Sequence, residues 1–514
     1  MNRGKAARTV ATTALLMALL TLGSKFLGFV REMVMAGFFG TSYITDSYVM
    51  ALAIPSIIFA GFFSAINTAY LPLYSRVAEK DGTEKGLIFT SQLMNIAFVI
   101  AAVSAAVGVC FSDQIVSIFA SGFTGEKAEL TSKFLKISFS YALFTSQVGL
   151  LEAYLRYKNV FLASIIIGYI QNAIVILVIF ISAIYDHELL ALGWLLAYIV
   201  QLIVTWYISS KFSFRYTFTS RIGATAKKVA ALSLPVFVGS YIHQINVFID
   251  KTLASRLPEG SVAALNYGNL LVGLITGLTI SIMMTVIYPK MTQAQALEEY
   301  QNFNKMVSTG FNLICIIAIP FSLGAMLYSQ QIVQIIYERG AFDPVSTALT
   351  STAFLFYSAG MLFTSFNILF TQTYYSMHDM KTPMVCGAIG VIINVVLNLI
   401  LVRFMAHGGL ALATSIASIC NAGFLYYGLR SKYQNIRIVE SKPKIRRILF
   451  SAIISVVASF TLNVILSSTI WMPRAVLMSV TIFAAMLIYL VLLRAFKIEE
   501  LRFVSRFLRN KTPS

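Results

Sequence analysis

Residues 24–76 read SKFLGFVREMVMAGFFGTSYITDSYVMALAIPSIIFAGFFSAINTAYLPLYSR. The stretch is apolar enough to cross a bilayer twice, yet it carries Lys25, Arg31, Glu32 and Asp46. A charge near the membrane midplane costs about 2.5–3.5 kcal/mol on insertion scales. A chain keeps such residues where they face an interior cavity or one another, not lipid. At about 100° per residue, Lys25 and Glu32 fall within about 20° of each other on a helix, with Gly28 on the same side. Arg31 stands one residue-step around from Glu32. That face can present cations to something anionic between helices.

The same apolar texture continues along all 514 residues, which are 58% hydrophobic and only 12% charged; the mean hydropathy is +0.79. Soluble domains carry about 25% charged residues. Apolar runs recur at 9–36, 44–73, 87–110, 131–155, 160–184, 189–210, 226–250, 262–288, 306–328, 346–376, 383–403, 408–429, 447–469 and 474–494. The expected fold is therefore an all-α polytopic membrane protein with about 14 transmembrane helices. The first run continues straight into the charged helix without a small-residue cleavage site, so it is expected to be a retained span, not a signal peptide. All four cysteines, Cys110, Cys315, Cys386 and Cys420, lie inside apolar runs and are expected to be small core fillers.

A net charge of +18 would suit a nucleic-acid binder. Here the basic residues sit between apolar runs, mostly on one side of the membrane, at Arg3, Lys5, Arg8, Arg76, Lys80, Lys85, Arg156, Lys158, the 211–228 segment, the 430–447 linker and the C-terminal tail. Topology explains the charge, and no nucleic-acid partner is expected. The bias places both termini on the cytoplasmic side of the membrane that the chain crosses many times.

An internal repeat shows through. FVRE at 29–32 answers to FIDK at Phe248–Lys251, and Tyr70-Leu71-Pro72 to Tyr288-Pro289, at a similar distance after each motif. Between them, Asp46-Ser47-Tyr48 answers to Asn266-Tyr267. The expected organisation is two pseudo-symmetric six-helix lobes, 1–215 (spans 1–6) and 216–435 (spans 7–12), followed by two C-terminal helices and a cytoplasmic tail in 436–514. Transporters with such repeats bind substrate at the repeat interface.

The charged residues admit two readings each. Arg31 and Glu32 form a structural ion pair, or with Lys25 they line a cationic site for a phosphate or pyrophosphate head, Arg as a bidentate clamp and Lys as a point charge. Asp46, in a Thr-Asp pair before an apolar run, caps its own helix, or acts as a gate or as a partner for Arg31 across the two helices. Asp250 and Lys251 are adjacent on one helix and point to different faces, with Arg256 beyond them. Lys251 and Arg256 join Lys25, Arg31, Glu32 and Asp46 as expected substrate-binding residues. His243 on the same helix suits an interhelical hydrogen bond. Asn394 and Asn398 share a face, and Thr414 stands at similar depth on the next span. With Asp250 they supply either a set of oxygen ligands for a coupling monovalent cation, sodium or a proton, or interhelical hydrogen bonds. The loop Tyr337–Asp343, YERGAFD, suits a folded, salt-bridged turn. No other cofactor and no metal are expected.

No phosphate-cradling loop, metal-ligand spacing or nucleophile elbow is present in the sequence. Nor does any outer connection offer the sizeable loop on which a membrane glycan polymerase or acyltransferase would carry its chemistry. The expectation is a transporter, not an enzyme. A cation-coupled multidrug exporter is the rival, although it would favour acids over cations at depth.

SKFLGFVRE, FFGTSYITDSY, IPSIIF and YLPLY in the first half, with FIDKTLASRLPEGSVAALNYGN, YERGAFD and YYSMHDMKTP in the second, resemble the MurJ-type lipid II flippases. These belong to the multidrug/oligosaccharidyl-lipid/polysaccharide exporter superfamily. The resemblance spans nearly the whole chain. It implies fourteen spans in two lobes plus two helices, and alternating-access export of an undecaprenyl-pyrophosphate-linked peptidoglycan precursor by a monomer among membrane lipids. It carries the family's cavity cations onto Lys25 and Arg31 and its acid before span 2 onto Asp46. Where many members have arginines, this chain has Phe59, Ala60 and Leu270. The implied cavity is less positive, and another polyprenyl-linked polysaccharide unit is the alternative cargo.

Overall fold

The computed structural model describes residues 2–219, 241, 244–283, 287–433, 442–469, 473–498 and 500. Most of the predicted seventh span, His243, the middle of the 430–447 linker and the tail after 500 lie outside the described residues. Within them every regular element is helical. The helices are α1 Asn2–Phe39, α2 Tyr43–Asp81, α3 Thr83–Cys110, α4 Ser112–Phe119, α5 Gly125–Ser140, α6 Ala142–Tyr157, α7 Phe161–Ile184 and α8 Leu192–Lys211. They continue with α9 at 244–255. After it come α10 Ser261–Ile282, α11 Tyr288–Ala296, α12 Tyr300–Leu327, α13 Ser329–Tyr337, α14 Pro344–Ser376, α15 Lys381–Lys432, α16 Lys442–Thr469 and α17 Arg474–Ala495.

Among the described residues nine stretches are long and apolar enough to cross a membrane, and Tyr43–Phe59 and Ser261–Gly277 are shorter apolar pieces. This is the multi-spanning all-α fold expected from the sequence, and it is consistent with fourteen spans. α5 and α6 run together as one span. The 52 residues of α15 are two spans, because Ala406 at φ 47°, ψ −130° breaks the helix. Beyond the break the arms lie side by side: Asn394 Nδ2 is 3.3 Å from Thr414 Oγ1.

The chain gathers into two compact units: Met1–Ala263 with Arg339–Ser346, and Ala264–Glu338 with Thr347–Ser514. In the first, α1 packs on α7, α7 on α8, α2 on α5 and α3 on α6. The YLPLY motif is core here. Tyr70 and Tyr74 are fully buried, their rings stacked 5.5 Å apart, with Phe89, Leu93, Leu151 and Tyr154 around them. In the second unit Phe311 of α12 stacks on Phe366 of α14 at 4.5 Å. α16 and α17 pack together, and α16 lies on α12. Tyr489 of α17 donates its hydroxyl to the Ile316 carbonyl at 2.9 Å.

Asp379, in the turn between α14 and α15, accepts from Lys432 Nζ at 2.6 Å, Thr382 N at 3.0 Å and Thr382 Oγ1 at 2.8 Å. Burial alone would raise this carboxyl, but the ammonium and the two Thr382 donors outweigh it and hold it well below the usual carboxylate range. Large apolar side chains remain on the outside, Phe98, Val99, Val103 and Val107 of α3 among them. On a soluble protein they would form a sticky patch; on a membrane protein they face lipid.

The Ala406 conformation belongs to the glycine-favoured region and costs about 1–3 kcal/mol for a residue with a Cβ. Ala406→Gly is therefore expected to raise the thermal unfolding midpoint of the detergent-solubilised protein. A lowered or unchanged midpoint would show that the turn stores no such strain.

Candidate functional site

Arg31 is the best-held cation of the first unit. Its guanidinium bonds Glu32 Oε1 through Nε at 3.1 Å and Nη2 at 2.6 Å, and Asn172 Oδ1 of α7 through Nη1 at 2.9 Å. The Trp194 ring of α8 lies 4.7 Å from its central carbon, within cation–π reach. Trp194 is itself fixed by donating Nε1–H to the Tyr48 hydroxyl at 2.8 Å. The Arg31 and Glu32 side chains keep 16% and 18% of their exposure, so both charges are largely desolvated yet still reachable. The ion-pair reading of Arg31 and Glu32 is thus realised, and the guanidinium is oriented from three sides.

Lys25, two turns earlier on α1, is exposed. It does not pair with Glu32, although the two share a helix face: at seven residues' separation they stand about 10 Å apart along the axis. Lys25 has neither a hydrogen bond nor an ion pair to another described residue.

Asp46 does not reach Arg31. This corrects the expectation of a pair across the two helices. Its carboxylate is buried at 1% side-chain exposure beside Lys127 Nζ at 2.6 Å. It also accepts from Gly260 N on Oδ2 and Ala263 N on Oδ1, each at 2.8 Å. The cap it supplies therefore serves α10, not its own helix. Glu259 returns the favour, accepting from Tyr43 N at 2.7 Å in the first turn of α2. Each helix start is thus capped by an acid from beside the other, which satisfies amide groups that no intrahelical partner reaches. Gly260 makes this possible: at φ +86° a Cβ would stand 2.4 Å from the Thr41 carbonyl oxygen.

Lys251 is half-buried on α9, within electrostatic reach of Asp46, Asp250 and Glu32. The structure therefore gathers it with three of the predicted acids. Arg256 is exposed and bonds Ser121 Oγ at 2.9 Å, beyond α4. Asp250 belongs to the first unit, and Asn394, Asn398 and Thr414 to the second. Those three form a hydrogen-bonded rung: Asn398 Nδ2 donates to Asn394 Oδ1 at 2.7 Å, and Asn394 Nδ2 to Thr414 Oγ1 at 3.3 Å.

Sequence reasoning missed Lys127, Asn172 and Trp194. Lys127 carried a signal, a basic residue on the side of the membrane that the charge bias leaves poor in Lys and Arg. Asn172, with Gln171 beside it, is an amide inside an apolar span, the kind of residue that finds an interhelical partner. Trp194 gave no signal before its neighbours were known.

Partly buried charged groups on a multi-spanning helical scaffold define the class, a membrane transport protein. A solved structure of the lipid II flippase MurJ in an inward closed conformation shares the fold, with a TM-score of 0.81 at 24% identity over 94% of this chain and 98% of that one. An inward-facing multidrug resistance MATE family transporter of the MOP superfamily matches at TM-score 0.66 and 13% identity, over 82% of this chain and 100% of that one. A probable lipid II flippase MurJ of Buchnera aphidicola subsp. Baizongia pistaciae is 26% identical over 430 residues, 80% of this chain and 81% of the relative. The family model for lipid II flippase MurJ matches residues 35–509. The chain belongs to the lipid II flippase MurJ family, a family of transporters, not enzymes.

Asp46→Asn removes the buried charge that balances half-buried Lys127. The expected loss is about 3 kcal/mol of stability, the scale for breaking one side of a buried ion pair. Adding Lys127→Met should restore part of the thermal midpoint measured in detergent. Equal midpoints for the single and double variants would show that the pair is not the source of the loss.

Proposed function

We propose that this chain moves lipid II across the bacterial cytoplasmic membrane by alternating access, as a monomer with both termini cytoplasmic. The cargo is an undecaprenyl-pyrophosphate-linked peptidoglycan precursor. The observation that carries the site is the contrast along α1, between an Arg31 oriented by Glu32, Asn172 and Trp194 and a Lys25 without a described partner. Lys25 is the point charge that meets the pyrophosphate first. Arg31 is pre-organised, so little side-chain entropy is lost when an anion approaches. Glu32 keeps that guanidinium neutralised while no cargo is present.

Lys251 and Arg256 add positive charge on α9 and just beyond it, and Asp46 holds the adjoining helix starts together. Release of Asp46 from the α10 amides gives the transition a discrete event. The cargo biases the equilibrium only through its different affinities for the two states. Coupling comes from the membrane potential or from a monovalent cation, sodium or a proton. The hydrogen-bonded rung of Asn394, Asn398 and Thr414 supports a structural role for those three in the state described. Replacing sodium with potassium in a flipping assay separates the two sources.

The test uses purified full-length protein in liposomes with labelled lipid II. Lys25→Ala and Arg31→Ala should each slow flipping about tenfold or more, the scale of one lost charge-assisted hydrogen bond, while the thermal midpoint of Lys25→Ala stays unchanged. Full flipping by both variants would refute the pyrophosphate clamp. Depletion in the native host separates cargoes: accumulation of a polyprenyl-linked intermediate other than lipid II would assign the chain to a different glycan.

A further inference from the structure

Glu152 of α6 is an acid that the transport site does not use. It is half-buried in a stretch apolar enough to cross a membrane. It makes no hydrogen bond or ion pair with another described residue. Arg156, one turn further along α6, is the charge within its electrostatic reach. Tyr198 of α8 lies within reach of both Glu152 and Arg31. Gln171 of α7 bonds the Tyr198 hydroxyl, and the ring of Tyr141, between α5 and α6, lies 5.2 Å from the Tyr198 ring. Leu150 and Tyr154 point about 160° away from Glu152 around the helix. They pack there with Tyr70 and Tyr74 of α2 and Phe89 and Leu93 of α3.

One face of α8 is polar from end to end. Trp194, Tyr198, Gln201, Thr205 and Ser209 fall within about 80° of one another and span about 22 Å of helix. Gln201 is 8% exposed, and Thr205 and Ser209 are fully buried. At one end of the face the Trp194 ring lies 4.7 Å from Arg31; at the other, Ser209 stands two residues before Lys211. α6 packs on α8, its last turn tied to the end of α8 by the Tyr154 hydroxyl, which donates to the Phe212 carbonyl at 2.8 Å. Thr205 Oγ1 donates to the Gln201 carbonyl at 2.6 Å. Gln201 Oε1 and Ser209 Oγ have no partner among the described residues. A buried amide oxygen left unpaired is costly, and a bound water is its usual remedy.

We propose that Glu152 is a proton-binding site, reached from the Lys211 end along the polar face of α8, whose charge state is coupled to anion binding at Arg31. The proton comes from water and adds to a carboxylate oxygen; no other bond changes. A carboxylate in hydrocarbon without a bonded donor is costly to keep charged, which suits this side chain to proton exchange, whereas Glu32 is already paired with Arg31. The coupling rests on Arg31 acting as the anion clamp. Neutral Glu152 leaves the Arg31 charge less opposed, so anion binding strengthens as pH falls through the titration of this carboxyl. A bound anion then favours the proton by the same factor.

The test uses the full chain in phosphatidylcholine nanodiscs, with undecaprenyl pyrophosphate as the anionic probe. Infrared spectra are recorded across a pH titration, and subtracting those of Glu152→Gln isolates the carbonyl band of one protonated carboxyl. A titrating band without probe, whose midpoint rises when the probe is added, supports the site; no band, or a midpoint that stays put, overturns it. Glu152→Asp keeps a carboxyl and should shift the band in frequency; an unshifted band would belong to another acid and overturn the assignment. Probe affinity should fall about fivefold or more from low to high pH, the low end of ordinary coupling between sites, beyond the change seen in Glu152→Gln, which carries the probe's own titration. Equal pH dependence in the two proteins would overturn the coupling. If Arg31→Ala binds the probe as tightly as the unsubstituted protein, the clamp and the coupling both fail, whereas the band without probe reports the proton site by itself. Gln201→Leu should slow the band's response to a pH jump without moving its midpoint; an unchanged rate would overturn the route along α8.

Discussion

A carboxylate removed from water must find donors, and Asp46 finds three: the Lys127 ammonium and the amides of Gly260 and Ala263. That requirement ties together the start of α2, the first turn of α5 and the entry to α10, which are far apart in sequence. Breaking one side leaves a charge without compensation in a low-dielectric setting, and this penalty is larger than the net worth of the pair.

The same rule shapes the cations of α1. Arg31 is tolerated inside an apolar helix because Glu32 neutralises it, Asn172 accepts from it and Trp194 offers its ring face. Lys25 is exposed. A transporter of an anionic lipid needs both kinds of charge. A cation fully sequestered by protein partners could not recognise cargo, and a wholly solvated one would gain little from doing so, because water screens the attraction.

Glycine decides where backbones touch. Gly260 lets the Asp46 cap close, and Gly340 lets the 339–346 loop lie against α1. Both motifs were visible in the sequence as LPEGS and YERGAFD, but their purpose was not. YLPLY likewise stood out, and it turned out to be tyrosine packing in a core, with no part in the charge constellation.

The sequence by itself determined the fold class, the multi-spanning topology, the family and the helix that concentrates charge in an apolar run. Hydrophobic length and charge alternation are local properties, and bilayer thickness converts them directly into spans. It also singled out Lys25, Arg31, Glu32 and Asp46, because a charge in an apolar run is anomalous wherever it occurs. Only the tertiary structure decided the partners. Asp46 chose Lys127 and two amides instead of Arg31, and Arg31 took Asn172 and Trp194 from helices more than a hundred residues away. Pairing depends on which helix faces meet and at what depth, and no periodicity along one chain segment encodes the rotation of its neighbour.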